Sequence, residues 1–284
     1  MNIYCEYEKL LKTNNNGKNF SIKKTKKANN TTITEINLQN FKLAKNLDKK
    51  EGIYTTIYCK DFDYLSNKHF CFLSKILEKE IKKLLKKIKI KNIHYPKFFI
   101  VGLGNSEIIA DCLGVYVCEK IISTKKDIDC NNLSKKYFGN VFSIAPSISN
   151  KNGIYTYEIV KSLSESLKPD IVILIDSLSC KNINSIFKTF QLNTIGLTPG
   201  CDIGNKQPSI TKNSLSIPVI SIGCPTVINL KDITNKNNNN SNPVLTIKDV
   251  DIAIKKCAEI ISFSLNKVIH KNLSDNEIIY LTKK

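Results

Sequence analysis

Along this chain, short apolar runs broken by Gly, Asn, Asp and Pro alternate with longer stretches whose apolar residues recur every three or four positions. The sharpest helical stretch is 68–91. Leu73, Ile76, Leu77, Ile81, Leu84, Leu85 and Ile88 share one face, the spacing of an amphipathic helix laid against a core. Its lysines crowd the C-terminal half, where the helix dipole favours cations. Residues 112–122 and about 154–167 predict two more helices. Residues 249–270 predict a terminal one, with Ile254, Cys257, Ile261, Leu265 and Val268 among its apolar positions.

The strand signals are of two kinds. Thr31–Leu38 alternates, and Gly52–Cys59 is rich in β-branched and aromatic residues. The two are expected to pair as an antiparallel hairpin across a long Lys-rich connection. Residues 98–101, 141–145, 170–176 and 218–223 are short apolar runs stopped by Gly, Pro or Asp, the pattern of strands buried on both faces. Residues 190–197 suggest another strand, and 177–180 are expected to open a helix. Strands alternating with helices define an α/β class with a mainly parallel sheet flanked by helices. Residues 1–30 are polar and rich in Lys and Asn, and are expected to be poorly ordered. Residues 31–284 are expected to form a single domain, with a low-complexity surface insertion at 235–243.

Composition narrows the class. An apolar fraction of 42% over 284 residues supports a substantial core. There is no N-terminal apolar leader and no apolar run near membrane-spanning length, so a soluble, cytoplasmic chain is expected. The 10 cysteines are scattered without a C-x-x-C and are expected to be reduced, mostly buried thiols. The 3 histidines lack partners at ligand spacing, so no metal and no cofactor are expected. The formal charge of +18 arises from lysine alone, since no arginine occurs. A base-reading surface favours the arginine fork. Non-specific attraction to polyanions is expected, and a dedicated nucleic-acid site is not.

The candidate chemistry sits at two strand ends. Gly102, Gly104 and Asn105 follow the first buried run, with Asp111 a few residues on. Asp176 ends another run. In open α/β sheets, ligands gather beyond the carboxyl ends of strands. If those strands are neighbours, both carboxylates can face one site. The competing reading is that each Asp merely caps a following helix.

A series of motifs now carries a resemblance. In order these are Gly102-Leu103-Gly104-Asn105, Asp111-Cys112-Leu113-Gly114, Ala145-Pro146, Gly153-Ile154 and Lys168-Pro169-Asp170. Ile175-Asp176-Ser177-Leu178, Thr198-Pro199-Gly200, Gly204-Asn205-Lys206 and the run from Leu215 to Val227 complete it. Over about residues 30–232 the chain resembles the spore germination proteases, which degrade small acid-soluble spore proteins. The resemblance implies an atypical aspartic endopeptidase on a fold similar to the hydrogenase-maturation proteases, with Asp111 and Asp176 as the catalytic pair. It also implies a homotetramer, a zymogen that removes its own N-terminal segment, and a location in the spore core.

Around that pair, Gly104, Asn105, Gly204, Asn205, Lys206 and Thr226 are candidates for substrate binding or support. Lys206, or backbone N–H groups near Gly104 and Gly204, would stabilise an oxyanion. For Lys206 the alternative is a surface lysine in a loop. For Asn105, Asn205 and Thr226 it is turn geometry. Two other functions compete: a metal-dependent peptidase like the hydrogenase-maturation relatives, and a catalytically silent binder of spore proteins. The chain departs from the family pattern at 1–30, where no processing region is recognisable, and at 147–152, where a Met- and Gly-rich loop is replaced. Tyr155 stands where the family usually has an acidic residue.

Overall fold

The computed structural model describes residues 20–39, 50–90, 92, 94–129, 134–146, 153–200, 207–234 and 243–283. Nine strands occur among them: β1 (Phe20–Lys27), β2 (Thr31–Leu38), β3 (Gly52–Cys59), β4 (Lys97–Gly102), β5 (Asn140–Ile144), β6 (Ile171–Cys180), β7 (Thr189–Asn193), β8 (Val219–Asn229) and β9 (Val244–Leu245). The helices are α1 (Asn67–Lys87), α2 (Leu113–Glu119), α3 (Lys125–Asp129), α4 (Thr156–Leu167), α5 (Lys212–Leu215), α6 (Leu230–Thr234), α7 (Val250–Ile269) and α8 (Asp275–Thr282).

All nine strands join one sheet, in the order β1-β2-β3-β7-β8-β6-β4-β5, with β9 added to β8. The α/β class stands. Parallel pairing is confined to β5-β4-β6-β8, and the β7-β3-β2-β1 side is antiparallel. The parallel strands read as unbroken apolar runs because both their faces are covered. On one face α1, α2 and α7 bury Leu77, Leu113 and Ile261 against Ile173, Ile175, Ile222 and Leu192. On the other, α4 and α5 bring Val160 and Leu215 onto Val101, Val172 and Leu174.

α1 begins where Ser66 caps the His69 N–H and buries Leu73, Leu77, Ile81 and Leu84, the predicted stripe. β2 and β3 pair antiparallel from Thr31↔Cys59 to Leu38↔Gly52, as the alternation predicts.

Three expectations need correcting. Residues 20–27, placed in a poorly ordered segment, form β1, which pairs with β2 along its whole length. Phe20 and Ile22 pack against the Ile36, Leu38 and Tyr54 cluster. The turn between the strands puts Asn29 and Asn30 at φ 53° and 47°, with Thr31 N–H donating to Ala28 O at 3.1 Å. That is the tight hairpin turn whose twist suits paired strands. Residues 177–180 open no helix: β6 continues through them because β8 pairs with it as far as Ile228. The strand expected at 190–197 stops at Asn193, whose Oδ1 accepts the N–H groups of Ile195 and Gly196 at 3.0 and 3.2 Å and turns the chain away. Residues 1–19, 147–152 and 235–242 lie outside the described residues.

Candidate active site

The first carboxylate is placed by a tight loop. Leu103 N–H donates to Ile175 O at 2.8 Å, carrying the β4–β6 pairing one residue past the end of β4. Gly104 then turns the chain at φ +124°, and a Cβ there would lie 1.9 Å from the Asp111 carbonyl oxygen. Only glycine meets both demands. Asn105 N–H donates to Asp111 Oδ2 at 2.8 Å, and Asn105 Oδ1 accepts the Glu107 N–H at 3.0 Å. The Asn105 side chain therefore does form a turn, while its backbone holds the carboxylate.

Asp111 ends a 3-10 turn, Ile109–Asp111, that packs against β6, β8 and α7. The thiol of Cys112 reaches the carbonyls of Asn105, Ser106 and Ile108 at 3.4, 3.5 and 3.3 Å. Burial, with the Asp111 charge adding to it, pushes that thiol above its ordinary pKa. Gly114 lets α2 rest on the strand ends: a Cβ there would lie 2.3 Å from Leu103 O and 2.7 Å from Ile175 O.

The second carboxylate is placed by the sheet. Gly102 pairs with Ile175 in the parallel β4–β6 ladder, so Asp176 is the first residue of β6 beyond that ladder. On its other side Asp176 pairs with Gly223 of β8. Both aspartates are partly exposed. The capping alternative fits neither. Cys112 holds the N-cap position of α2, the Asp111 carboxylate reaches back to Asn105, and Asp176 lies inside a strand.

Thr226 sits where β8 carries one extra residue against β6, between the pairs Leu178↔Pro225 and Ser179↔Val227. Such bulges re-aim strand ends beside sites. Thr226 is 1% exposed, its Oγ1 has no hydrogen-bond partner, and its carbonyl accepts the Thr246 hydroxyl at 2.7 Å. The structure thus places Gly104, Asn105 and Asp111 in the loop and turn after β4, and Asp176 on β6 just past the end of the β4–β6 ladder, with Thr226 further along β8. Gly204, Asn205 and Lys206 lie outside the described residues.

Sequence reasoning passed over Gln191, a polar residue between Phe190 and Leu192 in a central strand. That interruption of an apolar run was the available signal. Among the described residues, no group of three or more His, Cys, Asp or Glu is arranged to hold a metal ion, and no helix is long and apolar enough to cross a membrane.

The fold and site define an α/β protein with one aspartate in the turn after β4 and another on the neighbouring parallel strand β6, just past the end of their shared ladder. The chain belongs to the germination protease family, whose family model matches residues 2–240. It is 34% identical over 205 residues to a germination protease of Clostridium tetani, covering 72% of this chain and 62% of that one. A germination protease from Geobacillus sp. is 35% identical over 192 residues, covering 67% and 51%. One from Clostridium acetobutylicum is 28% identical over 241 residues, covering 82% and 69%. The chain thus spans roughly half to two thirds of the length of these curated relatives. Among solved structures, a NiFe hydrogenase maturation protease from Thermococcus kodakarensis aligns with a TM-score of 0.36 at 17% identity, over 62% of this chain and 94% of that one.

Proposed function

We propose that this chain is an endopeptidase that hydrolyses small acid-soluble spore proteins during germination, with Asp111 and Asp176 activating the attacking water. The observation that carries this is the packing of the Asp111 turn against β6 and β8, beside the strand position that holds Asp176. Family membership supplies the reaction class.

Hydrolysis by two carboxylates needs one ionised and one protonated. The ionised group takes a proton from water as the water oxygen attacks the peptide carbonyl. The protonated group donates toward the carbonyl oxygen, and a proton then passes to the leaving amine. Two carboxyls in one pocket share a proton because ionising both there is costly. The pair titrates as a unit, with either residue able to hold either role. The family resemblance further supports a homotetramer, self-removal of an N-terminal segment, and residence in the spore core.

The test incubates purified protein with a small acid-soluble spore protein and follows discrete fragments. Asp111→Asn and Asp176→Asn are each expected to abolish cleavage with the fold intact by circular dichroism. A variant keeping more than about a tenth of the wild-type kcat/KM, a loss under about 1.4 kcal/mol, would remove that residue from the mechanism.

A further inference from the structure

One row of the sheet joins Asp176 to a residue that the chemistry above does not use. Asp176 pairs with Gly223 across β6 and β8, and Gly223 pairs with Gln191 across β8 and β7. Ile175, Ile222, Cys224, Phe190 and Leu192, which flank them in sequence, all lie in the core under α1, α2 and α7. Strand alternation therefore turns Asp176, Gly223 and Gln191 toward the opposite face. Neighbouring strands stand about 4.8 Å apart, so the Asp176 and Gln191 backbones are about 10 Å apart. Only a glycine lies between them, with Leu178 over it: a Cβ on Gly223 would meet Leu178 Cδ1 at 2.7 Å.

Gln191 is 7% exposed. Among the described residues its side-chain amide has no hydrogen-bond partner, and it is not one of the polar atoms sealed from solvent. The row continues into β3, where Thr56 pairs with Gln191. Thr56 is 4% exposed and its Oγ1 is also without a partner. An amide that is largely enclosed, reaches solvent and has no protein partner keeps its donor and acceptor open to a ligand on the face it shares with Asp176.

We propose that Gln191 is a substrate-binding residue whose amide hydrogen-bonds the main chain of an extended peptide beside the bond to be cut. This rests on the hydrolase reading. A primary amide offers both a donor and an acceptor, the pair a peptide backbone presents. The row starts at Asp176 and runs away from it, so the groups held would lie to one side of the scissile bond.

Gln191→Leu removes both hydrogen-bonding groups at similar volume. Its kcat/KM on a small acid-soluble spore protein is expected to fall about tenfold or more, chiefly through KM, while Tm holds or rises. In the Asp176→Asn background, which binds without cutting, Gln191→Leu is expected to weaken substrate binding measured by fluorescence anisotropy by a similar factor. Should Gln191→Leu fail to fold, Gln191→Asn, which draws the amide back by one methylene, carries the same expectation. If the wild type cuts and the Gln191 variants keep wild-type KM and binding, this inference falls alone. It falls equally if activity and Tm drop together with binding unchanged. A wild type that cuts nothing, while Asp176→Asn binds spore protein in a Gln191-dependent way, sinks the hydrolase reading and leaves the binding row.

Discussion

Asn105 donates its backbone N–H to the Asp111 carboxylate at 2.8 Å, closing the loop between β4 and α2 into a ring. The bond fixes the carboxylate relative to the strand end, and Gly104 makes the loop short enough for it to form.

Gly104→Ala is expected to break that arrangement. A Cβ would lie 1.9 Å from Asp111 O, and the backbone sits at φ +124°, where an L side chain is strained. The substitution is expected to cost about 1–3 kcal/mol of stability and to lower kcat/KM by more than about tenfold through displacement of Asp111. Denaturant unfolding and steady-state cleavage check the two effects. Unchanged kcat/KM would show that the loop does not position the carboxylate.

His270 supplies a pH prediction remote from the site. It is fully buried at the end of α7. Its Nδ1 accepts the Gly139 N–H at 3.1 Å, and its Nε2 faces Ile122 O at 3.1 Å. The neutral ring protonated on Nε2 satisfies both contacts. Burial drives its pKa down from 6.5 to about 4. The unfolded chain therefore takes up a proton at a pH where the native ring stays neutral. Stability is full above the unfolded value of 6.5 and is lost as pH falls toward the native value of about 4, by about 3 kcal/mol over that window. Urea midpoints measured across it should fall. His270→Gln, which has a donor and an acceptor but does not titrate, should flatten that fall. An unchanged slope in the variant would assign the effect to other groups.

Three lysines of α1 are anchored. Glu35 of β2 holds Lys83 and Lys87 at 2.6 and 2.8 Å, and Lys82 pairs with Glu78 at 2.6 Å. Burial pushes the Glu35 carboxyl up, but the hydrogen bonds and charges of Lys83 and Lys87 together outweigh it and hold the carboxyl below its ordinary value. A depressed carboxyl contributes stability above its unfolded pKa, and that stability is lost as pH falls through its native one. Glu35→Gln is expected to cost about 1 kcal/mol near neutral pH and progressively less in acid. Changing Lys82, Lys83, Lys86 and Lys87 to Gln should lower Tm more than it alters the salt dependence of kcat/KM. A large loss of salt dependence with Tm unchanged would make this helix a steering surface for substrate.

The central strands and α1 are legible in the chain because each rests on local pattern, whereas local pattern leaves the two aspartates open between site and helix cap. The alternation of Thr31–Leu38 and the stripe from Leu73 to Leu84 are set by which face is buried. β1 was hidden because only Phe20 and Ile22 show among its lysines, and Asn29-Asn30, the turn signal, resembles the polar residues around it. Ser177 to Cys180 has the look of a helix start, and the long-range pairing with β8 overrides that local preference. Gln191 shows the same limit. Its polarity is visible in the sequence, but no local spacing places it across Gly223 from Asp176.

β1 is the outermost strand on its side of the described sheet, and Lys23, Lys26 and Lys27 on it are exposed. An open strand edge invites another chain to add to the sheet, and lysines are a common deterrent. The lysine charge on this strand thus acts as a guard against polymerisation. The guard is electrostatic, so it weakens wherever salt or a bound polyanion screens the lysines.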